Sequence, residues 1–133
     1  MTSQEAIREN ARLVIDTLGP LSGMETRFGY NRESVRWAEG FIERQRLRPE
    51  VKADPAKMVQ ILGSFLGECF LHAYGGEWRE ADGTWGVFFD ADNWAFPFAK
   101  VRKQFDNGLE GGDSILSFFD LIGPVILKKP QTD

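Results

Sequence analysis

An α+β fold, with about five helices packed on a small antiparallel sheet of two to four strands around a single core, is what the sequence predicts. Three observations carry this. Apolar residues recur at spacings of three and four in successive segments up to Tyr74. Two strand-like runs then bracket Ala81-Asp82-Gly83. After the WAFPF segment the spacing turns helical again. Helices and strands thus fall in separate blocks rather than alternating, which favours α+β over a doubly wound α/β arrangement.

The first helix spans residues 3–18, with Ile7, Ala11, Val14 and Leu18 on one stripe and Gly19-Pro20 as its stop. Gly23, Gly29 and a mixed pattern make residues 21–30 a loop. Asn31 offers the next N-cap, with Glu33 in the first turn. Val35, Ala38, Phe41 and Ile42 form the apolar side of this second helix, which must end by Pro49. Its opposite side carries Arg32, Arg36, Glu39, Glu43 and Arg44.

Asp54-Pro55 starts the third helix, because proline at the first helical position gives up an N–H that has no partner there anyway. Met58, Ile61, Leu62, Phe65, Leu66, Cys69, Phe70 and Ala73 cover about half of its circumference at roughly 100° per residue. Lys57, Gln60, Ser64 and Glu68 form a polar strip. Gly63 and Gly67 each cost up to about 1 kcal/mol of helix propensity, which implies that another element packs close to the backbone there. Gly75-Gly76 ends the helix.

Residues 77–80 and 84–90 are the strands of a hairpin. In the second strand Trp85, Val87 and Phe89 share one face, and Gly86 and Phe88 the other. Apolar residues on both faces mean that this strand is covered twice or lies at an interface. Trp94, Phe96 and Phe98 alternate in a third short strand ended by Pro97. Phe98, Val101 and Phe105 mark a short helix closed by Asn107-Gly108. After a flexible Glu110-Gly111-Gly112, Asp113 or Ser114 caps a last helix with Ile115, Leu116, Phe119 and Ile122 inside and Gly123-Pro124 as its stop.

The 133 residues suit a single domain, 1–133, with an N-terminal helix and loop over 1–30, a main body over 31–127 and a loose tail over 128–133. A net charge of -4 opposes nonspecific nucleic-acid binding, which depends on cations neutralising phosphates, and suits a basic or neutral partner. A polar N-terminus and the lack of an apolar run of about twenty residues point to a cytoplasmic protein that neither enters nor spans a membrane.

Chemistry concentrates in residues 67–80, GECFLHAYGGEWRE, which hold the single cysteine and single histidine. Cys69 and His72 have the spacing of neighbours on a helix, as a nucleophile and its base would. Cys69 falls within the apolar arc, where a thiol behaves as a small hydrophobe with a raised pKa. Glu68 and His72, four apart, pair either as an orienting dyad for a small hydrolase or metal-dependent enzyme or as a plain helix-stabilising contact. The enzyme reading needs both side chains open to one pocket, with Lys100 or Asn93 opposite. No metal site and no cofactor is assigned; a catalytic zinc usually wants three protein ligands, and with no second histidine the remaining ones would have to be carboxylates.

Acidic residues Glu77, Glu80, Asp82, Asp90 and Asp92 interleave with Trp78, Trp85 and Trp94, a mixture found at protein interfaces and equally in a sheet packed under helices. The basic segment ERQRLRPEVK holds Arg44, Arg46, Arg48 and Lys52, but acids interrupt it and Arg44 and Arg46 point about 160° apart at helical spacing, so it is not one patch. Lys100, Arg102 and Lys103 make a better basic face. Trp78, Trp85, Trp94, Lys100 and Lys103 are therefore the candidates for contact with another protein, or with a second copy through the two-faced aromatic strand. A small-ligand binder with an aromatic pocket is a further alternative.

LGSFLGECFLHAYGGEW, followed by WGVFF, NWAFPFAKVRKQFDNG and DSILSFFD, resembles a group of small bacterial domains of unknown function. Their pattern is Leu-Gly-x-x-Leu-Gly-Glu, then Gly-Gly-x-Trp, then aromatic-Pro-x-x-Lys. The resemblance covers residues 31–122 and matches Gly63, Gly67, Glu68, Gly75, Gly76, Trp78, Pro97 and Lys100. It implies a bacterial α+β domain and carries over no catalytic residue. The function expected is a noncatalytic, protein-binding module of immunity or regulatory type.

Overall fold

Ser3 accepts a hydrogen bond from the Ala6 amide and opens α1, Gln4–Ser22. A computed structural model of the chain describes residues 3–48 and 54–128. The expected terminator at Pro49, Lys52 of the basic segment and residues 129–133 of the tail lie outside these. Among the described residues, α1 is followed by α2 (Arg32–Arg46), α3 (Ala56–Tyr74), β1 (Glu77–Ala81), β2 (Thr84–Phe88), β3 (Trp94–Ala95), α4 (Pro97–Asn107) and α5 (Ile115–Leu121). Five helices pack on a three-stranded antiparallel sheet around one core, an α+β fold.

α3 is the central element. It packs against α1, α2, α4 and β2, and from Leu62 to Phe70 every residue is buried. The predicted polar strip is therefore corrected at two places. Ser64 is fully buried and returns its hydroxyl hydrogen to the Gln60 carbonyl at 2.7 Å, and Glu68 is only 9% exposed. Ala73, placed in the apolar arc, is exposed instead. The two helix glycines behave as the propensity cost implied. A Cβ on Gly63 would lie 2.4 Å from Phe98 Cδ1, and one on Gly67 would lie 2.1 Å from Trp78 Cη2. The missing methyls let the sheet and α4 reach the backbone of α3.

Two proline stops differ from expectation. α1 continues through Gly19-Pro20 to Ser22 and ends at Gly23, in the left-handed conformation. Pro20 gives up the bond that an amide there would make to the Asp16 carbonyl, and the Ser22 hydroxyl ties the last turn to the Gly19 carbonyl at 2.6 Å. Residues 24–28, expected in a loop, include a 3₁₀ turn (Glu25–Arg27) and bury Met24 and Phe28. α5 runs into a π-helical turn, Ile122–Ile126, across Gly123-Pro124 rather than stopping. The Phe119 carbonyl there accepts the Tyr74 hydroxyl at 2.7 Å. The Glu110-Gly111-Gly112 segment, expected to be flexible, takes part in a 3₁₀ turn (Leu109–Gly111).

Asp82 and Gly83 both have positive φ, 52° and 79°, the geometry of a two-residue turn whose twist matches the strands it joins. This fixes the register: Trp78 faces Val87, Arg79 faces Gly86 and Glu80 faces Trp85. β2 is the central strand, with Phe88 opposite Trp94 on β3. Pro97 does more than end β3, since it occupies the first position of α4.

Glu39 and Glu43 are also not a solvated helix face. Gln104, fully buried on α4, donates to the Glu39 carbonyl at 3.2 Å and to Glu43 Oε2 at 3.0 Å, and accepts from the Ile115 amide at 3.0 Å. The Glu39 carboxylate accepts from the Ser114 hydroxyl and the Leu116 amide, so α2 anchors the start of α5. No buried side-chain polar atom among the described residues is left without a partner.

Candidate functional site

The sequence directs attention to α3 first. Glu68 points under the hairpin, and the Trp78 indole N–H donates to its Oε2 at 2.8 Å. Trp78 is 4% exposed, with its ring 5.9 Å from that of Phe98, so the structure places it in the core and not on a partner-facing surface. His72 lies one turn further along α3, exposed, with its ring 4.9 Å from Tyr30. No hydrogen bond or ion pair joins Glu68 to His72. The i, i+4 spacing brought them near, but Glu68 turned to a donor that sequence spacing does not reveal.

Burial pushes the Cys69 thiol well above its usual pKa, and the adjacent Glu68 charge pushes it further the same way. A thiol of that kind is not ionised near neutrality. Tyr30 is raised by burial first and by Glu68 second. Asn93 and Lys100, either of which the enzyme reading would set opposite the pair, make their contacts elsewhere. Asn93 donates to both Asp90 carboxylate oxygens, at 2.9 and 3.0 Å, within the β2–β3 turn. Among the described residues no group of three or more His, Cys, Asp or Glu side chains is gathered closely enough to hold a metal ion.

The basic face predicted on α4 is divided. Arg102 bonds Asp54 at 2.8 Å and also approaches Asp106. Lys100 turns the other way and sets its ammonium 4.3 Å above the Phe118 ring. Burial lowers the Lys100 pKa, and Lys103 lowers it further; the ring face offsets part of that desolvation. Lys103 itself is exposed. Lys100 lines a cleft of ≈ 200 Å³ with Asp113, Ser114 and Ser117. Ser114 and Asp113 are already engaged there, with Glu39 and Asn107 respectively.

The outer face of the sheet has a different character. Residues paired across the strands share a face, so Glu77, Phe88 and Trp94 point outward together with Arg79. Phe88 and Trp94 stack, with centroids 5.5 Å apart and planes at 28°. The Arg79 guanidinium, from β1, also lies over the Phe88 ring, 5.5 Å from its centroid, and is held by Glu77. Arg79, Phe88 and Trp94 form one row across all three strands. Trp94 is 45% exposed at its end. On the same face, beside the row, Phe96 lies over Gly86, where a Cβ would come within 2.9 Å of its ring.

Trp85 belongs to the inward face with Trp78 and Val87 and packs, partly buried, against the core. The two-faced strand is thus covered on one face by the core, while on the other Phe96 covers Gly86 and Phe88 is half-buried beside the exposed Trp94. Since β2 is flanked by β1 and β3, a second copy could meet it only across the outer face. Arg79 and Phe88 are the members of this surface that residue type alone left unassigned as contacts. The Asp-Gly turn held the signal, because a two-residue loop sets the register that brings them into line with Trp94.

No helix among the described residues is long and apolar enough to cross a membrane. Compared with protein-family models, curated proteins and solved structures, the chain finds no match.

Proposed function

We propose that this chain is a noncatalytic protein-binding module, of immunity or regulatory type in a bacterial cytoplasm, and that it works through the outer face of its sheet. One observation carries the reading. Trp94 is 45% exposed yet stacked on Phe88, whose ring Arg79 contacts in turn. A large aromatic that is already ordered loses little conformational freedom on contact, which is why tryptophan and arginine dominate the energetics of protein interfaces. Acidic turns flank the row and give it a polar rim.

Photo-crosslinking in the native host tests this. A benzophenone side chain placed at position 94 is expected to join a discrete protein partner, and one placed at Leu21, exposed on α1, is not. The adduct at position 94 should disappear when Phe88→Ala removes the brace. Equal labelling from both positions, or none from position 94, would defeat the reading.

A further inference from the structure

We propose that the open side of Trp94 receives a basic side chain, an arginine above all, from the partner protein. This rests on the protein-binding reading above and names the partner's chemistry. The row already contains such a contact. Arg79 on β1 and Trp94 on β3 both contact the ring of Phe88 on the strand between them, and Phe88 is the only ring within stacking distance of Trp94 among the described residues. Trp94 is on β3, an edge strand, and is 45% exposed, so the row ends there at a tryptophan that solvent reaches. Indole is the best aromatic surface for a cation, and a planar guanidinium both stacks on it and carries charge.

Charge complements the shape. Asp90 and Asp92 occupy the turn that leads into Trp94, and Glu77 stands at the same end of β1, opposite Phe88. Asp90 accepts from the Asp92 amide and the Asn93 side chain, so its charge is held in place. Asp92 is exposed. Arg79 is the only cation in the row, and Glu77 pairs with it. The chain as a whole is at -4. A basic segment therefore meets an acidic rim and an open indole together. A second copy would instead bring the same acidic rim against itself, which opposes it.

The test is a titration of the intact chain with two short peptides on one Gly-Ser spacer, arginine-bearing or glutamate-bearing, followed by the Trp94 indole resonance. The arginine peptide is expected to shift that resonance and to bind less tightly as salt rises; the glutamate peptide is not. Trp94→Leu should weaken the arginine peptide by about fivefold, the scale of an exposed cation–π contact. Asp92→Asn should weaken it by about twofold and carries the test if the Trp94 variant fails to fold.

Equal binding of both peptides, or an unmoved Trp94 resonance, overturns the proposal. In the second case, crosslinking from position 94 separates the claims. A protein adduct there leaves the binding reading standing without a basic contact, and its absence removes both. A dimer that Trp94→Leu dissolves would make a second copy the occupant and also overturn the proposal.

Discussion

The Trp78 indole N–H and the Glu68 carboxylate meet at 2.8 Å beneath the hairpin, and this bond decides what Glu68 is for. It fastens the first strand to the central helix. Glu68→Ala should leave a buried N–H unpaired and cost about 2–3 kcal/mol, because a bond to a charged acceptor is lost and its donor is stranded. Glu68→Gln, which keeps an acceptor, should cost less than half of that. Urea denaturation of the three proteins checks the order. If Glu68→Ala leaves stability unchanged, the bond does not hold the sheet.

Gly67→Ala would normally stabilise a helix by about 1 kcal/mol. Here the new methyl would meet Trp78 Cη2 and Cζ2, 2.1 and 2.2 Å from its ideal place. Overpacking of this kind costs about 1–3 kcal/mol, and such a close approach belongs at the upper end, so a net loss of about 2 kcal/mol is expected. Trp78→Phe removes the crowding ring atoms. Combined with Gly67→Ala it should cost less than the two single changes added together, which a double-mutant cycle in denaturant measures.

Cys69 is buried, with a thiol pKa well above its usual value. The native protein should resist a disulfide reagent at neutral pH and react fully once denatured. Raising the pH within the folded range should restore little reactivity, because access as well as ionisation is blocked. Rapid labelling of the native chain would contradict the core position.

Asp54 shows how an exposed pair links stability to acid. Its pKa is lowered from 3.8, first by the hydrogen bond from Arg102. In the window below that reference value the unfolded chain binds more protons than the folded one, so stability rises with pH. The contribution is complete above the unfolded pKa and is lost as pH falls through the folded one. The melting temperature of Asp54→Asn should therefore fall less steeply than that of the parent on acidification below about pH 4. Parallel curves would show that the pair does not form in solution.

Much of the architecture can be read from local chemistry. Asn31 and Ser114 cap helices because each side chain accepts from an amide three residues on. Asp82-Gly83 sets a hairpin register, and the glycines at 63 and 67 announce a close approach. What misleads is local punctuation whose cost tertiary contacts offset. Gly19-Pro20 and Gly123-Pro124 look like stops, but the chain there is held by Ser22, Tyr74 and the buried Ile122. Ser64 and Glu68 look solvated because a helical wheel counts polarity without knowing that Trp78 supplies a donor.

The site divides along the same line. Alternation in β2 and β3 makes an outward aromatic surface legible, with Trp94 on it. It does not distinguish Trp94 from Trp78, since both are tryptophans beside acids in short strands. Register separates them: Trp78 pairs with Val87 on the inner face, and Trp94 with Phe88 on the outer one.

The central claim is that the outer sheet face, and not the neighbourhood of Glu68 and His72, does this protein's work. The most direct measurement compares Trp94→Ala and His72→Ala by calorimetry against the partner identified by crosslinking, with melting temperatures taken alongside. The account predicts that Trp94→Ala lowers affinity by tenfold or more, roughly 1.4 kcal/mol or above, while both variants melt close to the parent and His72→Ala binds as the parent does. Unchanged affinity for Trp94→Ala together with lost binding for His72→Ala would contradict it.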